Sequence, residues 1–136
     1  MELTAKARKI FSADRYATEL TGVSIDHVGD HEASCSLPLD GRHCNARGTA
    51  MGGVLFTLAD FCAAVASNSD CLDSGELCWV SLNSTIHFLA PAVGNLLIAR
   101  CTALKSGRTT ALYQTKIESP DDGKVIAIVE TSMIRA

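Results

Sequence analysis

Between Met51 and Ser67 the chain carries one charged side chain, Asp60, in a run otherwise made of Gly, Val, Leu, Phe, Ala and Cys with a single Thr. The run reads as a helix ending near Asn68 and apolar on nearly every side. Such a helix must be enclosed by the rest of its domain. What surrounds it in sequence is mostly strand. Val23, Ile25 and His27 alternate with polar residues, and after the turn signal Gly29-Asp30 so do Ala33, Cys35 and Leu37, which predicts a hairpin. Beyond the helix, a turn-rich link at Asp70–Gly75 leads to strands predicted over Trp79–Leu89, Leu96–Leu104, Thr109–Glu118 and Val125–Ile134. The order strand, strand, helix and four strands, joined by tight turns, implies an α+β fold with one antiparallel sheet wrapped around a central helix. Ahead of it, residues 2 to 20 are predicted helical, with Leu3, Ala7, Ile10, Phe11 and Tyr16 as candidate buried positions and Gly22 as the stop.

At 136 residues and 47% hydrophobic, the chain is expected to be one domain over 1–136 with a real core. A net charge of −3 gives no electrostatic case for nucleic acid, and no apolar run reaches membrane-span length. The first nine residues lack the apolar centre of a secretion signal, so a cytoplasmic location is expected. Six cysteines (Cys35, Cys44, Cys62, Cys71, Cys78 and Cys101) form no C-x-x-C pair, so no metal site is expected. They read as reduced packing thiols, with Cys71-x6-Cys78 left open as one disulfide.

A carboxylate inside an apolar helix costs several kcal/mol unless paired, hydrogen-bonded or protonated, on the order of 2–7 for a neutral polar group and more for a charge. Asp60 is therefore expected to be buried and is the first candidate for chemistry. Gly53, Thr57, Asp60, Ala64 and Ser67 recur at spacings of four and three and share one stripe, small or polar throughout; Val54, Leu58, Phe61 and Val65 form an opposing greasy stripe. The greasy side should meet the sheet. The small side suits either a tightly packed helix pair or a substrate, which makes Thr57 and Ala64 substrate-contact candidates.

Gly52 and Gly53 stand at the expected helix start, where backbone N–H groups lack intrahelical partners and the dipole favours negative charge. That arrangement is a ready oxyanion hole. Eight residues of helix span about 12 Å, so Gly52 and Asp60 of one chain cannot both touch one carbonyl group. If both act, one comes from a second subunit with its helix alongside and antiparallel. A homodimer is expected on this spacing, paired again into a tetramer.

The run Asn45-x-x-Gly48-x-x-Met51-Gly52-Gly53-x6-Asp60 resembles the active-site signature of hotdog-fold acyl-CoA thioesterases of the phenylacetate-pathway (PaaI-like) subfamily. The similarity continues through Val80–Pro91, Gly94 and Ser106-Gly107-Arg108. It implies acyl-CoA as substrate, with Asp60 as nucleophile or general base and Gly52 as the amide that polarises the thioester carbonyl, Gly53 beside it. Asn45 matches a polar residue that holds water or the thioester, though it also reads as a loop cap. Ser81 matches a Ser or Thr that positions water, yet strand parity groups it with Asn83, Thr85 and His87 rather than with Val80, Leu82, Ser84, Ile86 and Phe88. Arg108, Lys105 and Arg100 are candidates for CoA phosphates.

Met51 departs from the pattern, where the family carries His close to the thioester. Met neither titrates nor donates a strong hydrogen bond. A thiol with a pKa near 8.5 leaves as thiolate without a general acid, so a carboxylate and an oxyanion hole suffice. No cofactor is expected. His43 and His87 are the imidazoles that could substitute, with a loop and a sheet-surface place expected for each. Scarce aromatics and the small stripe leave room for an aryl or a medium aliphatic acyl group. A non-catalytic acyl-CoA binding module is the rival reading, and a hotdog hydratase ranks last because no His lies near Asp60 in sequence.

Overall fold

The computed structural model describes residues 2–136. Helix α1 spans Leu3–Phe11, β1 Ser24–Gly29, β2 Glu32–Pro38, α2 Gly52–Ser67, β3 Trp79–Phe88, β4 Leu96–Ser106, β5 Thr110–Glu118 and β6 Val125–Arg135. The six strands form one antiparallel sheet in the order β1-β2-β4-β5-β6-β3. Helix α2 touches every strand of it. The α+β architecture expected from sequence is the one found.

Alternation builds the core. Ala33, Cys35 and Leu37 of β2, Leu97, Ala99 and Cys101 of β4, Tyr113, Thr115 and Ile117 of β5, and Ala127, Val129, Thr131 and Met133 of β6 are all buried. They meet Leu58, Phe61, Cys62 and Val65 of α2. Cys62 Sγ donates to the Ala33 carbonyl at 3.5 Å, so the helix lies nearly on the sheet backbone. All six cysteines are free thiols, including Cys71 and Cys78.

The N-terminal helix is shorter than the sequence suggests. Glu2 caps α1 by accepting from the Ala5 and Thr4 amides, and the helix ends where Phe11 enters the core edge-on to Phe61, centroids 5.7 Å apart. The chain turns over residues 12 to 15 and re-enters a π-helical turn at Tyr16–Thr21. Tyr16, expected inside, is 66% exposed, because the break resets the helical phase. Gly22 ends the turn as expected, with φ +95°.

Two bulges correct the predicted strand faces. In β1 the register shifts between Ile25 and His27, so Val28 rather than His27 joins Ile25 inside. In β3 it shifts between Ser81 and Asn83: Ser81 pairs with Met133, Ser84 with Thr131 and Ile86 with Val129. Paired residues share a face. Leu82 is the extra residue of the bulge, so Ser81 lies on the helix face with Ser84, Ile86 and Phe88, not with Asn83. One edge of β3 is unpaired, and Val80, Leu82, Phe88 and Leu89 are exposed there.

Candidate active site

The start of α2 is set by the loop before it. Asn45 Oδ1 accepts from the Arg47 and Thr49 amides at 2.9 and 3.2 Å, and Asn45 Nδ2 donates to Thr49 Oγ1 at 3.1 Å. Gly48 closes the loop at φ +81°, a left-handed conformation that suits glycine. The Asn45-x-x-Gly48 pattern is thus a loop-forming unit in this chain. His43, expected as a loop residue, is buried: Nδ1 accepts from the Asp40 amide at 3.0 Å, and Nε2 meets the Thr21 carbonyl at 2.7 Å. Its own carbonyl accepts the Met51 amide at 2.9 Å, which fixes the residue preceding the helix. Both ring nitrogens are committed, so His43 holds structure and does not replace the imidazole missing at 51. His87 is exposed on the outer face of β3.

Met51 is the N-cap, extended at φ −62° and ψ 145°, with its side chain 50% exposed. Among the described residues neither the Gly52 nor the Gly53 amide has an acceptor. A Cβ on Gly53 would meet nothing within 4 Å, and one on Gly52 would sit 3.1 Å from Phe88 Cζ. Gly52 opens onto a cavity of about 720 Å³ with Asn45, Arg47, Thr49 and Phe88 on its walls.

Two turns along α2 lies Asp60. Expected buried, it is exposed in the single chain, because the sheet covers only one side of the helix. Gly53 is exposed with it, and Thr57 and Ala64 are half-buried; Ser67 leaves the stripe and is buried. Asp60 opens onto a second cavity, about 360 Å³, walled by Asp14, Tyr16, Phe56, Thr57 and Phe61 and reached by Ala64. Loss of water against these neighbours raises its carboxyl above the usual carboxylate value, and the Asp14 carboxylate adds to that; the Ser81 hydroxyl pulls it back down. Ser81 thus stands on the face of the sheet that α2 covers, which its predicted strand parity would have forbidden, with its Oγ 3.6 Å from Met133 Sδ. The Thr57 hydroxyl donates to the Gly53 carbonyl at 2.9 Å.

The two cavities share no wall residue. Gly52, Asn45 and Phe88 belong to one, Asp60, Thr57 and Ala64 to the other. Arg108 and Lys105 are exposed at the β4–β5 hairpin and line neither; Arg100 is paired with Glu118 at 2.9 Å. The sequence reasoning missed Arg47, Phe88, Asp14, Tyr16 and Phe56. Arg47 was legible, since it lies inside the loop motif. Asp14 and Tyr16 were not, because a continuous helix was expected there. Among the described residues no group of three or more His, Cys, Asp or Glu is placed to hold a metal ion, and no helix is long and apolar enough to cross a membrane.

Known proteins share this fold. The thioesterase superfamily profile matches residues 47–126, which holds the Gly-Gly helix start, Asp60 and Ser81. Human acyl-coenzyme A thioesterase 13 is 31% identical over 116 residues, spanning 85% of this chain and 81% of that protein. The E. coli PaaI protein of the phenylacetic acid degradation operon superposes with a TM-score of 0.84 at 25% identity, covering 99% of this chain and 96% of that one. A hypothetical thioesterase protein from Streptococcus pneumoniae, solved with coenzyme A, gives a TM-score of 0.79 at 21% identity over 93% of this chain and 96% of that one. The chain belongs to the thioesterase superfamily, with the hotdog fold of its PaaI-like members. It is a thioester hydrolase by class.

Proposed function

We propose that the protein is a cytoplasmic acyl-CoA thioesterase, a single hotdog domain over 1–136 that acts as a homodimer, with a second pairing into a tetramer. The observation that carries this reading is the open face of α2. It presents unpaired amides at Gly52 and a carboxylate at Asp60, on separate cavities about 12 Å apart by helical rise. An antiparallel second copy of α2 brings Gly52 of the partner subunit to Asp60, and covers the small stripe Gly53, Thr57, Asp60 and Ala64. The unpaired β3 edge beside it, with Leu82 59% exposed, is suited to join the same contact.

In that site the thioester oxygen sits on the Gly52 amide, where the helix dipole adds to the hydrogen bond. Asp60 either attacks the acyl carbon, giving an anhydride that water then opens, or takes a proton from an attacking water. Either way the C–S bond breaks, the sulfur leaves as CoA thiolate, and one water supplies the carboxylate oxygen. Ser81, on the helix face beside Asp60, orients the carboxylate or the water. Asn45 acts by shaping the loop that presents the helix start. Met51 and Thr57 border the acyl group, and Ala64 leaves room for it; Tyr16, Phe56 and Phe61 give the Asp60 cavity an aromatic wall, contrary to the scarcity expected from composition. Arg47, on the Gly52 cavity, is better placed for CoA phosphates than Arg108 or Lys105. No cofactor is needed, since a thiolate is a good leaving group. Six free thiols suit a reducing compartment.

The test is thiol release from a panel of aryl and aliphatic acyl-CoAs by wild type and Asp60→Asn. We expect turnover with wild type and a loss of at least about two orders of magnitude in the variant, still folded. Tight acyl-CoA binding without turnover would favour the binding-module reading that Met51 motivates.

A further inference from the structure

The turn that interrupts the N-terminal helix places a second carboxylate beside the first. Phe11 ends α1 by packing on Phe61, the residue next to Asp60. The Asp14 amide then donates to the Phe11 carbonyl at 3.0 Å, and Asp14's own carbonyl accepts from the Thr18 amide and hydroxyl, each at 3.0 Å. The backbone of Asp14 is thereby fixed against α2, while its side chain is left free. Among the described residues its carboxylate has no hydrogen-bond donor and no ion pair.

The titratable groups on the shared cavity are Asp14, Arg15, Tyr16 and Asp60. Arg15 is the only cation among them, and it is drawn off by Glu19 at 2.9 Å. Helix α2 supplies no second charge, its other wall residues being Phe56, Thr57, Phe61 and Ala64. From β3, the Ser81 hydroxyl acts the other way and favours the ionised form of Asp60. Asp14 is thus an uncompensated negative charge facing the cavity that holds the reacting carboxylate. On the proposed hydrolase reading, we infer that Asp14 is a positioning residue of the thioesterase site, acting through Asp60 to keep that carboxylate a stronger base.

The physics is that of two like charges at one cavity. Loss of water disfavours the ionised form of Asp60 and Asp14 adds to that, while burial disfavours the ionised form of Asp14 itself. A base closer in strength to the operating pH accepts a proton more effectively. An acyl group seated against Tyr16, Phe56 and Phe61 displaces water and strengthens the coupling.

The test is kcat/KM against pH, with one good acyl-CoA, for wild type, Asp14→Asn, Asp14→Glu and Asp60→Asn. Asp14→Asn should move the acidic limb to lower pH and lower the neutral plateau by about two- to threefold. Asp14→Glu should return the limb toward wild type. Thermal unfolding should be no lower in either, because the side chain makes no hydrogen bond or ion pair, and Asp14→Asn removes a charge that burial disfavours. An unmoved limb in Asp14→Asn, with Asp60→Asn inactive, overturns the inference and leaves the hydrolase reading standing. Full activity in Asp60→Asn overturns both.

Discussion

Gly52→Pro separates the helix from its amide. Gly52 is the first residue of α2, and its N–H has no acceptor among the described residues. Proline is favoured at a first helical position, where the missing N–H bonds nothing within the helix. The residue before it must be extended, and Met51 already is, at ψ 145°. The added Cβ comes 3.1 Å from Phe88 Cζ, and that ring is 56% exposed, free to move by a few tenths of an ångström. The fold should therefore survive with little change in unfolding temperature. Activity should not: losing one oxyanion donor costs about 10²- to 10³-fold in kcat, or ~2.7–4 kcal/mol.

The same variant tests where the site lies. Gly52→Pro and Asp60→Asn chains, unfolded together and refolded at equal amounts, should give heterodimers as about half of all dimers, each with one intact site of two. The mixture should recover about a quarter of wild-type thiol release, far above either parent. A mixture no more active than the mean of its parents would refute the shared site. So would full activity in a species that sediments as a monomer.

Met51→His should keep or raise hydrolysis and add a pH dependence near the imidazole value of about 6.5, read by comparing pH–rate profiles with wild type. Asp60→Asn should unfold at the same temperature as wild type or higher at neutral pH. A carboxyl raised in the folded state opposes folding above its folded pKa, so the gain should vanish as the pH falls below the unfolded value; calorimetry across pH reads this, and a neutral-pH loss of stability would contradict it. His43→Ala should cost about 2–4 kcal/mol in denaturant unfolding, since it strands the Asp40 amide and the Thr21 carbonyl and empties a buried site; a change under 0.5 would contradict the two ring hydrogen bonds.

The sheet was legible because burial writes itself at period two. Ala33, Cys35 and Leu37, or Val129, Thr131 and Met133, face inward as their spacing says. What period two cannot encode is an inserted residue. Leu82 in β3 stands between polar Ser81 and Asn83 and continues the alternation from Val80 to Ile86, so nothing in the sequence marks it as a bulge, yet it alone puts Ser81 on the helix face. The same blindness hid Val28. The helix break after Phe11 was invisible for a related reason. Ala13, Asp14 and Arg15 are compatible with helix in isolation; the stop comes from the Phe11–Phe61 contact, which is tertiary.

Asp60 was misplaced by a different route. A helix apolar on nearly every side implies burial on every side, but it does not say by which chain. The sheet takes the stripe Leu58, Phe61 and Val65, while Gly53, Thr57, Asp60 and Ala64 are left without cover. Those residues are small enough for a second backbone to approach, and the exposed β3 edge lies beside them. The apparent conflict between a buried-looking sequence and an exposed carboxylate disappears if the remaining cover is another copy of α2. The carboxyl is already raised in the single chain, by loss of water against the cavity wall and then by Asp14. Further loss of water on pairing acts in the same direction. Dimerisation would then complete the oxyanion hole and close the Asp60 cavity from water in one step, so an isolated chain should be a poor hydrolase even with every catalytic side chain in place.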